Sequence, residues 1–335
     1  MLIFRALVVA ALVAPAASKK KASKKKHRDR ALQEQETPQA ACVAFCFLAN
    51  GGDFENLPSL LPTRPRIWYD FFQEGIRKGL AHVLLIHTAQ PVELILNRGS
   101  SLRARHRVGA DVYDFFKERC SKEALTTGWG GIGLVRATLV LWRDAIAQDP
   151  SVTHLALLSD SHVPLSGFEN VWREIARLNR TAISGFEPDD DGAWAGMGYP
   201  RVIAPENRRK HHQWFVAAPA DADWFLAHDF TDGFIGVLVP DERYFMSLMS
   251  QYNRPYELRM TTFVEWRGQA DGGLPEPGEW ADYVKFTRSW SPVTFTRVDA
   301  ALAGALWNQG HIFMRKVDHA TVFAEGWNGV ARSQV

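Results

Sequence analysis

The sequence predicts an α/β fold in which a mixed, mostly parallel sheet is flanked by helices. The first observation is the order of an apolar run at Val43–Leu48, a helical pattern at Arg66–Arg77 and a second apolar run at His82–His87. Neither run alternates with polar residues, which is typical of strands that are buried on both faces of a parallel sheet. The second observation is that the same order returns, with a helical pattern at Ile132–Ala147 before an apolar run at Thr153–Leu158.

Composition supports a globular domain. The chain has 335 residues, 46% of them hydrophobic and 12% aromatic, which is enough to bury a sizeable core. It contains neither a G-x-G-x-x-G pattern nor a P-loop, which argues against a dinucleotide enzyme or a P-loop NTPase. Of the net charge of +2, residues 19–30 carry +7 and Arg5 carries +1, so the chain from Ala31 onward sums to about −6. A mildly acidic domain of this kind is not expected to bind nucleic acid.

The amino-terminal residues have the layout of a secretory signal. An apolar run at Phe4–Ala17 precedes small residues and is short for a membrane span. We therefore predict a signal peptide, or a short signal anchor with membrane association, at residues 1–18, and a basic disordered linker at residues 19–40. The folded domain is predicted at residues 41–330, and the location is the secretory pathway, in the Golgi lumen or membrane, or alternatively secretion.

The stretch from Asn207 to Phe245 combines basic, aromatic and acidic residues. A basic cluster precedes an apolar run at Gln213–Val216 that predicts a strand, and Pro219–His228 predicts a helix. A further strand is predicted at Val237–Val239. It is followed by Asp241 and Glu242, where a helix is expected to begin. A carboxylate at this junction either caps the helix or faces the ligand-binding edge of the sheet.

Three segments resemble one family. They read RRKHHQW, VPDERYF and MTTFVEW, in that order. This series resembles that of the core-2/I-branching β-glycosyltransferases (glycosyltransferase family 14), in particular the plant and algal branch, and the resemblance extends from Val43 to Val317. It implies a GT-A-like fold in a single domain. It also implies an inverting enzyme that transfers a sugar from a UDP-sugar to a glycan or glycoprotein hydroxyl, with no metal and no other cofactor.

The resemblance also implies roles for individual residues. Glu242 is expected to be the general base, with Asp241 beside it as a cap or positioning group, and Lys316 is expected to be the main cation at the diphosphate. The residues expected on the donor side are His87, Asp160, Arg288, Arg297, Arg315 and Lys316. The residues expected on the acceptor side are Arg209, Lys210, Trp214, Glu265 and Trp266. The transferred sugar stays open among N-acetylglucosamine, xylose and glucuronic acid.

Four positions depart from the family pattern, and one of them, Glu265, is a conservative change from the usual aspartate. Thr138 stands where an acidic residue is usual, Gly133 where serine is usual and Ser291 where histidine is usual. The changes at Thr138 and Ser291 keep open a non-catalytic, lectin-like descendant that has lost donor binding.

A metal-dependent transferase is the other alternative. Asp160 and His162 directly follow the strand at Thr153–Leu158, where many nucleotide-sugar transferases bind a divalent cation. Asp189–Asp191 also spell D-x-D, but they lie in a predicted exposed loop. The three cysteines, Cys42, Cys46 and Cys120, allow at most one disulfide.

Overall fold

The computed structural model describes residues 41–49, 60–97, 99–186, 198–266, 284–285 and 292–327. The predicted signal and linker at residues 1–40, the D-x-D at Asp189–Asp191, and the positions Arg288 and Ser291 lie outside the described residues. The predicted domain boundaries therefore remain a prediction.

The described residues form the following strands and helices. The strands are β1 Cys42–Ala49, β2 His82–Thr88, β3 Val152–Ser159, β4 Val163–Pro164, β5 Ala182–Ile183, β6 Gly185–Phe186, β7 Lys210–His211, β8 Val216–Ala217, β9 Glu257–Leu258, β10 Thr262–Val264, β11 Val284–Lys285, β12 Thr294–Val298, β13 Phe313–Arg315 and β14 Val317–Phe323. The α-helices are α1 Pro65–Arg77, α2 Val92–Leu96, α3 Gly99–Val108, α4 Ala110–Lys117, α5 Ile132–Gln148, α6 Phe168–Ala176, α7 Pro219–Ala227, α8 Tyr244–Gln251 and α9 Ala300–Asn308. Short 3₁₀ turns lie at Pro205–Asn207, Thr231–Phe234 and Pro240–Glu242.

The central sheet confirms the predicted fold class. Its six strands run in the order β2-β1-β3-β8-β5-β9. The strand β1 is parallel to both neighbours, and β8 is antiparallel to β3 and β5. All eight residues of β1 are buried, which explains why its sequence does not alternate between apolar and polar residues.

Helices cover both faces of this sheet. Phe45 and Phe47 of β1 pack with α1 and α6 on one face, where Phe45 meets Phe72 edge to face at 5.3 Å. Cys42 and Cys46 point to the other face and pack with α5, α7 and α8. All three cysteines are free thiols, and burial is the main cause that raises the pKa of Cys42 and of Cys120 to about 12.

A smaller three-stranded sheet brings the carboxy-terminal cations back to the central sheet. Its order is β10-β13-β4, with β13 parallel to β10 and antiparallel to β4. Arg315 therefore lies opposite Val264, and the amide of Val317 donates to the carbonyl of Ser161 at 3.0 Å. This pairing places the end of β13 beside the turn that follows β3.

The predicted strand at Val237–Val239 is wrong. Val239 has a φ of 45°, in the left-handed region that a strand cannot use, and a 3₁₀ turn follows it. The capping role considered for Asp241 is wrong as well, because α8 begins after Arg243 and no side chain caps it. Of the predicted strand at Gln213–Val216, only Val216 lies in a strand, which is β8. Among the described residues, no helix has both the length and the apolar character needed to cross a membrane.

Candidate active site

A buried histidine lies in the turn after β3, in contact with residues of the candidate site. His162 is fully buried, and its Nδ1 accepts a hydrogen bond from the Ser159 amide at 2.9 Å, which leaves the ring proton on Nε2. Burial, and then the nearby charge of Arg315, hold the pKa of His162 well below its usual value. The carbonyl of His162 accepts from Trp68 Nε1 at 2.9 Å, so α1 fixes this turn. His162 is therefore a neutral, fixed side chain.

Arg315 lies over the face of a tryptophan that also contacts His162. The ring of Trp214 meets His162 edge to face at 4.8 Å, and the guanidinium carbon of Arg315 lies 4.8 Å from the centre of the Trp214 ring. Burial lowers the pKa of Arg315 to about 10, while the charges of Asp160 and Glu242 act in the opposite direction. Arg315 is therefore cationic at neutral pH, and one face of Trp214 is covered by it.

Glu242 is paired with a lysine from a different element. Its Oε2 lies 3.0 Å from Nζ of Lys210, which belongs to β7. Only about a fifth to a quarter of each side chain is exposed (20% and 24%), so water screens this pair less than a surface pair. The 3₁₀ turn that carries Glu242 is closed by hydrogen bonds from the Glu242 amide to Val239 O and from the Arg243 amide to Pro240 O, both 3.0 Å.

Asp241 has a different environment from its neighbour. It is buried, and among the described residues its Oδ1 has no hydrogen-bond partner. Burial first, and the charge of Glu242 second, raise the pKa of Asp241 to about 7. The two adjacent carboxyl groups are thus separated by their surroundings, with Asp241 able to hold a proton at neutral pH and Glu242 paired with a cation.

Two further residues support the turn, and one of them, Arg243, was not found from the sequence. Arg243 is fully buried, donates from Nη1 to Leu238 O at 3.1 Å, and lies 5.0 Å from the centre of the Tyr199 ring. Tyr199 in turn donates to Arg209 O at 3.0 Å. An arginine beside two carboxylates reads as a surface residue, so no sequence signal distinguished Arg243.

Arg209 and Lys210, from the basic cluster, make different contacts. Arg209 donates from Nη1 to the carbonyls of Glu206 at 2.7 Å and Arg208 at 2.9 Å, which stabilises the loop. Lys210 is the member that reaches Glu242. The structure thus brings together Asp160, Lys210, Trp214, Glu242 and Arg315, with Asp241 next to Glu242.

Other predicted site residues lie in different surroundings. His87 is buried at the end of β2, its Nε2 accepts from the Leu125 amide at 3.0 Å, and burial lowers its pKa to about 4. Arg297 is largely exposed and lies 3.7 Å from Asp299. Lys316 is half-buried, and its carbonyl accepts from Phe295 N at 2.9 Å. Glu265 is buried just after β10, and the half-buried Trp266 packs on the core cluster beneath α5.

Two departures from the family pattern have local structural reasons. A Cβ at Gly133 would lie 2.6 Å from the Thr126 carbonyl oxygen, so the loop before α5 leaves no room for serine. Thr138 is buried and donates to the carbonyl of Leu134 one turn earlier, at 2.9 Å. Among the described residues, no group of three or more His, Cys, Asp or Glu side chains is arranged to hold a metal ion.

Comparison with models of protein families identifies a family for this chain. The family model described as Core-2/I-Branching enzyme matches residues 95–296, which is more than half of the chain. No curated protein matches the sequence. The matched range includes Lys210, Trp214, Asp241 and Glu242, while Arg315 and Lys316 follow it.

Proposed function

Because the chain belongs to the Core-2/I-Branching enzyme family and is therefore a glycosyltransferase, we propose that it transfers a sugar from a UDP-sugar to a glycan or glycoprotein hydroxyl with inversion. The observation that carries this proposal is the partly buried Lys210–Glu242 pair, 3.0 Å apart, with Arg315 beside it. The transferred sugar belongs to the N-acetylglucosamine, xylose or glucuronic acid class.

Glu242 is the proposed general base. The acceptor hydroxyl gives its proton to the Glu242 carboxylate while its oxygen forms a bond to the anomeric carbon of the donor. The bond between that carbon and the diphosphate breaks, and its electron pair leaves with UDP. Lys210 holds the carboxylate in one place through their ion pair at 3.0 Å.

Arg315 and Lys316 are the proposed cations for the departing diphosphate. Arg315 is fixed on Trp214 and faces the charges of Asp160 and Glu242, and Lys316 follows it in the chain. Charge-assisted hydrogen bonds from such side chains can stabilise the leaving group without a metal ion. Trp214 contributes by holding Arg315. A metal-independent reaction is therefore part of the proposal.

Hydrolysis of UDP-sugars tests this proposal without knowledge of the acceptor. We expect the chain to hydrolyse one of UDP-N-acetylglucosamine, UDP-xylose and UDP-glucuronic acid at the same rate with and without EDTA, and Glu242→Gln to be much slower. Loss of hydrolysis in EDTA would support a metal-dependent transferase. No hydrolysis under any condition would support the lectin-like alternative. A thermal-shift panel of the same nucleotides identifies the donor, because a ligand that binds only the folded state raises Tm.

The proposed location is the secretory pathway, in the Golgi lumen or membrane, with membrane association through the amino-terminal segment. The support is the apolar run at Phe4–Ala17. A fluorescent fusion with and without residues 1–18 tests this, since uniform cytosolic fluorescence of the full chain would contradict it.

A further inference from the structure

An exposed tryptophan lies at the tip of a closed turn near the proposed base. The amide of Gly131 donates to the carbonyl of Gly128 at 3.1 Å, and Gly130 has a φ of 65°, as the third position of a type II turn requires. Trp129 is the second residue of this turn. Its backbone is held by the hydrogen bond, yet its side chain is 81% exposed. Packing among the described residues does not explain a tryptophan in this position.

The tryptophan turn packs against the turn that carries the carboxylates. A Cβ on Gly130 would lie 3.2 Å from Val239 Cγ1, 3.7 Å from the Val239 amide nitrogen and 3.9 Å from Leu238 Cδ1, so the two turns are in close contact. Val239 itself is held at a φ of 45°, which costs a β-branched residue energy and is typical of functional sites. Since a 3₁₀ turn rises about 2 Å per residue, Glu242 lies only about 6 Å beyond Val239. A short oligosaccharide is long enough to extend from Glu242 to Trp129.

The segment that packs against the tryptophan turn carries apolar side chains. Leu238 is half-buried against the tryptophan turn, and Ile235, on the same segment, is 60% exposed. We call Trp129, Ile235 and Leu238 the apolar rim. An exposed apolar surface next to a polar site is typical of a ligand contact, and a rigid aromatic side chain binds flat rings at a low entropic cost. The C–H face of a pyranose ring has the matching chemistry.

We propose that Trp129 is a platform for a sugar ring of an oligosaccharide acceptor, adjacent to the ring whose hydroxyl reacts at Glu242. This inference rests on the proposed function and extends it, because it predicts that the acceptor contains more than one sugar. Ile235 and Leu238 continue the contact beyond the tryptophan.

Three variants test the platform. Trp129→Ala removes the ring, Trp129→Phe keeps a flat ring on the same turn, and Leu102→Ala removes another exposed apolar side chain, 71% exposed, from α3. The probe is a set of immobilised glycans from monosaccharides to tetrasaccharides, over which the full-length chain is passed. We expect Trp129→Ala to bind the oligosaccharides about tenfold more weakly or worse, Trp129→Phe to recover most of this loss, and Leu102→Ala to match the parent.

Several results would overturn the inference. One is a parent chain that binds no oligosaccharide better than the corresponding monosaccharide, and another is Trp129→Ala binding as well as the parent. UDP affinity, measured by calorimetry, provides a third, because a loss of UDP binding in Trp129→Ala that equals its loss of glycan binding would place the ring against uracil. UDP-sugar hydrolysis by the parent tests the proposed function separately, since it needs neither an acceptor nor the apolar rim.

Discussion

The region from β1 to β3 and the region from β7 to β13 are built differently. The strands β1, β2 and β3 contain eight, seven and eight residues and are buried almost throughout. The strands β7, β8, β10 and β13 contain two or three residues each and are joined by loops and 3₁₀ turns. Yet this second region supplies Lys210, Glu242 and Arg315. The first region thus provides a rigid edge, on which irregular segments position the candidate catalytic residues.

Replacement of Glu242 is expected to have the largest effect and to fall on function alone. Glu242→Gln keeps the shape of the side chain but cannot take a proton at neutral pH, so transfer should fall by about 10²- to 10⁴-fold. The thermal unfolding curve should change little. The exposed Glu257, changed to Gln, is the matched control. Transfer at the parent rate in Glu242→Gln would mean that the base lies elsewhere, with Asp241, Asp160 and Glu265 the next to test.

Replacement of Trp68 tests the contribution of the region from β1 to β3 to stability. Trp68 is fully buried and stacks on Phe72, with ring centres 5.7 Å apart. Trp68→Ala should lower the free energy of unfolding by about 3–5 kcal/mol. Urea denaturation measures this, with the half-exposed Ile76 of the same helix, changed to Ala, as the control. A loss below about 1 kcal/mol would show that the first region is not the main source of stability.

Replacement of Arg315 and Lys316 tests which of these two cations binds the diphosphate. Removing a charge-assisted contact to phosphate should weaken UDP binding by about 1.5–3 kcal/mol. We expect this loss in Arg315→Ala and in Lys316→Ala, with the exposed Lys122 changed to Ala as a control. Calorimetry with UDP measures each variant. Unchanged UDP affinity in Lys316→Ala would leave Arg315 as the only cation of this pair in the site.

The smallest expected effect is a change in the pH dependence of stability. Since the pKa of Asp241 is raised to about 7 from an ordinary value of 3.8, the folded state binds this proton more tightly than the unfolded state. Stability should therefore fall as the pH rises from about 4 to 7, and Asp241→Asn should remove this loss. Relative to the parent, the variant should gain on the order of 1–2 kcal/mol between pH 6 and pH 8 in urea denaturation. A difference that does not change with pH would show that Asp241 is ionised throughout.

The long buried elements of the fold could be predicted from the sequence. The strands β1 to β3 and the helix α5 follow from apolar periodicity, because long buried elements leave a long pattern. Val237–Val239 has the apolar residues of a strand, but close packing against Gly130 and the following proline turn decide its backbone, and the contact with Gly130 is not local in sequence.

The residues of the candidate site could be predicted only in part. The carboxylate pair and the basic cluster could be found from residue order, because the motifs are contiguous. The pairing of Lys210 with Glu242, the placement of Arg315 on Trp214 and the neutral state of His162 depend on elements far apart in the chain. Alternation along a strand could separate Arg315 from Lys316 but could not say which one faces the site.

The three thiols bear on how the protein can be prepared. Cys42, Cys46 and Cys120 are all unpaired, and burial raises the pKa of each, so at neutral pH they are protonated and react slowly. Folding therefore requires no oxidant and no isomerase for disulfides. The chain should be obtainable in native form from a reducing bacterial cytoplasm, and purification in the presence of dithiothreitol should leave its enzymatic activity intact.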